Sequence, residues 1–127
     1  GINNSAEIIN SYASGDVLQS NQHTGGLVGI NESGGKISNS YATGSTTVSS
    51  GKVGGLVGTN DATSFITNSY ATGSVDGKTS SGAGKLVGSN AVEDNVEESY
   101  VYEGQTILGE TSYVGNEATY ANMKDAT

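Results

Sequence analysis

Short apolar runs rich in Val, Ile and Tyr alternate along the chain with clusters of Gly, Asn, Ser and Asp. No 3.6-residue period links the apolar positions, so the pattern predicts strands and turns rather than helices. The pattern also repeats. Tyr12, Tyr41 and Tyr70 lie 29 residues apart, and Tyr100 follows 30 later. Around them run Asn10 to Gly15, Asn39 to Gly44 and Asn68 to Gly73, with a decayed fourth copy from Glu98 to Glu103. A second block keeps the same period: Gly26 to Gly29, Gly55 to Gly58 and Lys85 to Gly88, each followed two residues on by Asn31, Asn60 or Asn90. Ile8, Ile37, Ile66 and Val96 form a third recurring position. Separate blocks in one register define a structural repeat.

One such repeat cannot bury its own apolar face, so the copies must stack. A 29–30-residue unit with about three short strands predicts an all-β fold. The expected architecture is a right-handed β-solenoid of about four coils, each rising ~4.8 Å. The units fall at about 8–36, 37–65 and 66–95, with a decayed unit over 96–116 and a short C-terminal cap over 117–127. Together they make one module. Gly1-Ile2-Asn3 matches Gly29-Ile30-Asn31, so the chain reads as a piece of a larger protein that starts inside a repeat.

The departures from the repeat suggest which side is inside. Val101 takes the place of Ala13, Ala42 and Ala71, while Tyr102 takes that of Thr43 and Thr72. A core column stays small or apolar, so the Ala column is expected to point in. By strand alternation Tyr12, Tyr41, Tyr70 and Tyr100 then stack outside. The converse, Tyr in the core and small residues outside, stays open. Lys85 replaces Gly26 and Gly55, which places that column toward water and Leu27, Leu56 and Leu86 toward the core. Val28, Val57 and Val87 are then expected on the outer face. The Gly columns suit corners, and the Asn columns suit turns.

Composition narrows the function classes. The 127 residues include thirteen Asp/Glu against five Lys, for a net charge of -8. An acidic chain without Arg is a poor ligand for phosphate backbones, so no nucleic-acid partner is expected. No apolar run approaches the ~20 residues of a membrane span. The absence of Cys removes disulfide scaffolds, Cys-based zinc sites and Cys nucleophiles.

The block Gly-Leu-Val-Gly-x-Asn followed by Ile-x-Asn-Ser-Tyr-Ala-Thr-Gly resembles the GLUG repeat. Here it is carried by Gly29, Asn31, Ile37 to Gly44, Gly55 to Asn60, Ile66 to Gly73 and Leu86 to Asn90. Such repeats occur in large bacterial surface and secreted proteins, among them streptococcal zinc metallopeptidases that cleave immunoglobulin A, and haemagglutinin-like adhesins. The resemblance implies an extracellular, secreted or cell-wall-attached parent, and in the peptidase case a zinc centre elsewhere in it.

No catalytic site is expected within the segment. A zinc peptidase motif needs two His flanking a Glu, and His23 is the one His. Nothing marks a nucleophile elbow around any Ser. Glu93, Asp94, Glu97, Glu98 and Glu103 could be weighed as a glycosidase pair or a calcium site, but they read as a solvated acidic cap that blocks edge growth. No metal or cofactor is expected. The leading expectation is a non-catalytic module that positions substrate or scaffolds an immunoglobulin A protease. Its outer Tyr and Val columns would contact immunoglobulin A or another domain of the parent. The alternative is an adhesin stalk that binds host proteins or glycans. Short Thr columns fit an ice-binding face poorly.

Overall fold

The structure is a computed structural model and describes residues 1–19, 22–78, 82–102 and 104–108. Short parallel strands wind into a β-solenoid. The first turn carries β1 (Ile2–Asn4), β2 (Glu7–Ile9), β3 (Tyr12–Ala13), β4 (Val17–Gln19) and β5 (His23–Gly25). The second carries β6 (Val28–Glu32), β7 (Lys36–Ser38), β8 (Tyr41–Ala42), β9 (Thr46–Val48) and β10 (Lys52–Gly54). The third carries β11 (Val57–Asn60), β12 (Phe65–Thr67), β13 (Tyr70–Ala71), β14 (Val75–Asp76) and β15 (Gly82–Gly84). An incomplete fourth turn follows with β16 (Val87–Asn90), a 3-10 turn at Glu93–Asn95, β17 (Val96–Glu97), β18 (Tyr100–Val101) and β19 (Ile107–Leu108). The solenoid thus has three full turns and part of a fourth, where about four were expected. The expected cap over 117–127 lies outside the described residues.

Each full turn has five strands rather than three, because backbone corners divide it. Asn10, Asn39 and Asn68 adopt left-handed φ of 52, 49 and 46°, at the corner between the second and third strands of their turns. Asn is the side chain that tolerates this region best, which explains its recurrence there. Like strands pair only with like strands. Four sheets hold four strands each, and the fifth sheet holds β5, β10 and β15. The register follows the sequence repeat: Ile2 lies on Ile30, Asn3 on Asn31 and Tyr12 on Tyr41.

Columns of like residues fill the core. Ile37, Ile66 and Val96 form one, Ala42, Ala71 and Val101 another, and all are buried. Leu56 and Leu86 join them, with Leu27 half-buried against the cluster. A smaller cluster of Val48, Val53, Val75 and Ala83 fills the other end of the cross-section.

The expectation that Val28, Val57 and Val87 face outward is overturned. All three are buried in the same cluster as the leucines. The hydrogen bonds explain why. The amides of Leu27 and Val28 both donate to the Leu56 carbonyl, at 3.0 and 3.1 Å, and those of Leu56 and Val57 both donate to Leu86, at 2.9 and 3.0 Å. Two successive N–H groups on one carbonyl interrupt the alternation, as in a β-bulge, and turn two successive side chains inward. The Gly column also lies inside. A β-carbon built at Gly55 would stand 2.9 Å from the Ala71 Cβ. Lys85, which suggested a wet column, is half-buried at the equivalent position of the third turn.

Two polar ladders run through this core. Asn31 and Asn60 are fully buried and extended, so this Asn column is not a turn. Nδ2 of Asn3 donates to Oδ1 of Asn31 at 2.8 Å, Asn31 to Asn60 at 2.8 Å, and Asn60 to Asn90 at 2.9 Å. The second hydrogen of each amide goes to a main-chain carbonyl: Ala6, Gly35, Ser64 and Val92. The serines form the other ladder. The amides of Ser11, Ser40 and Ser69 each donate to the hydroxyl of the next turn's serine at 3.2 Å. These hydroxyls donate in turn to the carbonyls of Ser38, Thr67 and Glu97 at 2.8 Å.

Two outcomes follow for stability. Asn60→Ala removes a middle rung and takes the partner from one Asn31 donor and from the Asn90 oxygen, so it should destabilise by about 3 kcal/mol. A urea titration showing less than about 1 kcal/mol would refute a structural role for the ladder. Glu98 occupies the left-handed corner that Asn holds in the earlier turns, with φ 45°. Glu98→Asn should therefore stabilise by about 1 kcal/mol, and an unchanged or lowered denaturation midpoint would contradict the strain assigned to that corner.

Candidate functional site

The third sheet places the tyrosines outside and the alanines inside, as the alternation at Tyr41-Ala42 and Tyr70-Ala71 requires. Tyr12 is 65% exposed, while Tyr41, Tyr70 and Tyr100 are half-buried on the outer surface. The rings of Tyr12 and Tyr41 stack with centroids 5.3 Å apart at an interplanar angle of 11°. Those of Tyr41 and Tyr70 stack at 4.8 Å and 2°. Tyr100 holds the next register position on β18. The spacing is that of neighbouring strands in a sheet, so the backbone ladder sets the ring separation.

This arrangement alters the chemistry the column can offer. Inner ring faces cover one another, so the row presents ring edges and phenol groups outward. The ring of Tyr12 lies at the end of the stack and is the most exposed. Burial, and next to it the neighbouring Tyr41, push the Tyr70 phenol above its ordinary value of 10.0. Both causes disfavour the phenolate, one by removing water and the other by setting a second anion beside it.

Other residues flank the column. At the corner before it, Nδ2 of Asn68 donates to Oδ1 of Asn39 at 2.5 Å. On the adjoining second sheet, Glu7, Lys36, Ser38, Phe65 and Thr67 line a shallow groove of about 260 Å³. Glu7, Lys36 and Phe65 share one register column. Lys36 Nζ lies 3.7 Å from Glu7 Oε1, an exposed pair of little energetic weight. Phe65 is 43% exposed. This column differs in every turn, so no repeat-based signal marks it; the exposed Phe in a strand was the available hint.

The remaining candidates scatter. Glu93, Asp94, Glu97 and Glu98 are exposed around the 3-10 turn, and Glu103 lies outside the described residues. Among the described residues no group of three or more His, Cys, Asp or Glu could hold a metal ion. His23 starts β5, is exposed, and its Nδ1 lies 2.6 Å from the Thr59 hydroxyl. Asp61 is held at about 2, below the ordinary carboxylate value of 3.8, chiefly by the Ser33 amide that donates to it at 2.8 Å. It fastens one corner to the turn before. No helix among the described residues is long and apolar enough to cross a membrane.

The architecture is thus that of a repeat β-solenoid with a smooth ladder interior and an aromatic outer row. The family model of the GLUG motif matches residues 20–49 and 49–76, so this stretch is similar to GLUG repeats. Neither a curated protein nor a solved structure matches the chain.

The raised Tyr70 value makes an alkaline prediction. The folded state favours the neutral phenol, so this contribution to stability is whole below the unfolded value near 10.0 and is lost as pH rises through the raised one. Denaturation midpoints should fall above about pH 10, and less steeply in Tyr70→Phe. Parallel alkaline limbs in the two proteins would contradict the shift.

Proposed function

We propose that the chain is a non-catalytic module of an extracellular bacterial protein, built to hold an aromatic face in a fixed position toward a partner. The observation that carries this reading is the stack of Tyr12, Tyr41 and Tyr70 on the outer face. Backbone and side-chain ladders set its spacing, so little side-chain freedom is left to lose on binding. Tyr is also among the residues that dominate interface energies.

The motif resembles repeats of immunoglobulin A-cleaving zinc metallopeptidases, and substrate positioning or scaffolding in such a parent is the specific form of the proposal. The zinc centre would then lie in another part of that parent. Immunoglobulin A, or a neighbouring domain of the parent, would meet the tyrosine row. Val28, Val57 and Val87 drop out of the binding surface because they are core. A second reading, an adhesin stalk for glycans, is favoured by the 65% exposure of Tyr12, whose ring could stack on a sugar. The mutual stacking of the inner rings limits that mode to the end of the row.

Biolayer interferometry against immobilised immunoglobulin A, a hingeless subclass and a mucin glycan tests both readings. Saturable, hinge-dependent binding that weakens at least about tenfold in Tyr41→Ser/Tyr70→Ser is the expected result. Glycan binding without hinge preference would replace it with the adhesin reading. Silence on all three surfaces would refute the tyrosine row as a face for these partners.

A further inference from the structure

The rings of Tyr41 and Tyr70 lie on successive turns, 4.8 Å apart and within 2° of parallel. Their backbones cannot slide, because the Tyr41 amide donates to the Ser11 carbonyl at 3.0 Å and the Tyr70 amide to Ser40 at 3.1 Å. Both side chains stand on the outer surface and are half-buried, which leaves them open to small oxidants and leaves the rings room to tilt. The whole chain has no Cys and no Trp, and one Met, so phenols are its principal oxidisable groups. A pair of phenols held face to face in this way is preorganised for coupling, because the encounter between two radicals becomes intramolecular.

We infer that Tyr41 and Tyr70 form an oxidative cross-linking site, at which a one-electron oxidant joins the two rings by a carbon–carbon bond ortho to their hydroxyls. The oxidant class is hydrogen peroxide acting through a haem peroxidase. Each phenol gives up one electron and its hydroxyl proton. The two radicals couple between Cε atoms, and each coupled carbon passes its hydrogen to the phenol oxygen, which restores both aromatic rings. In sum, two tyrosines and one hydrogen peroxide give one dityrosine and two waters. The bond would tie the second turn to the third, a covalent staple in a chain that has no thiols. The inference rests on ring geometry and is independent of any partner.

Lys36, Lys52 and Lys78 make the test direct, since trypsin places Tyr12, Tyr41 and Tyr70 in separate peptides. The native chain is treated with horseradish peroxidase and hydrogen peroxide, digested, and analysed by mass spectrometry and dityrosine fluorescence. The expected main product is peptide 37–52 joined to peptide 53–78, lighter by two hydrogens, in material that remains monomeric. Its yield should hold across about a tenfold dilution of protein, as an intramolecular step requires. Tyr70→Phe should abolish it, and Tyr102→Phe should leave it unchanged. The cross-linked chain should also melt at a higher temperature than the untreated one. A different dominant pairing, a product between chains, or an equal yield of the same pair from urea-unfolded protein would overturn the assignment.

Discussion

A buried amide must find partners for two donors and an acceptor, and in this solenoid it must do so in every turn. Asn31 meets that demand with the Asn of the turns before and after and with one carbonyl of its own turn. A slip of one residue would turn every side chain of the strand to the opposite face and leave those groups in an apolar core. The ladder therefore selects one register, and the remaining columns follow from it. Apolar residues alone would not discriminate as sharply, since Val, Ile and Leu fill one another's places at small cost. The serines add a second check, because each hydroxyl bridges an amide of one turn and a carbonyl of the next.

The interior and the exterior answer to different constraints. Inside, each residue of the middle turns packs between its register partners above and below, such as Ile66 between Ile37 and Val96, so a change must suit two neighbours at once. Outside, the tyrosine row and the Asn10, Asn39 and Asn68 corners keep that regularity, while the adjoining column passes from Glu7 to Lys36 to Phe65. Regular stacking of the tyrosines stabilises the scaffold as well as shaping its surface. The variable column beside it is where related modules could differ in what they touch without disturbing the fold.

Much of this was legible in the residues. The repeat spacing led to stacked parallel strands, and the contrast between Ala42 and Tyr41 correctly separated inside from outside. The failure at the Val column is local. Alternation was carried across Leu27-Val28, where one carbonyl takes two amides and two side chains turn the same way. A local backbone irregularity of that kind leaves no trace in the order of apolar residues. The division into five strands likewise depends on corners, and Asn alone does not reveal whether it bends the chain, as Asn39 does, or runs straight through the core, as Asn31 does. The groove at Phe65 escaped because comparing repeats rewards what recurs, and its lining does not.

The Asn column also has a direction. Main-chain bonds between turns run both ways: Tyr41 donates back to Ser11, while Leu27 donates forward to Leu56. Every ladder amide instead donates forward, from Asn3 through Asn31 and Asn60 to Asn90, and the carbonyl each one also meets leaves no reversed orientation open. Their dipoles therefore align head to tail, and each polarises the next. Among the described residues Asn90 is the last rung, and its amide donates to the Val92 carbonyl at 2.6 Å. The solenoid is thus a polar rod at its centre, with an oxygen leading at the Asn3 end and an N–H closing the other. The two ends of the described ladder are therefore chemically different surfaces, one calling for a donor and the other for an acceptor.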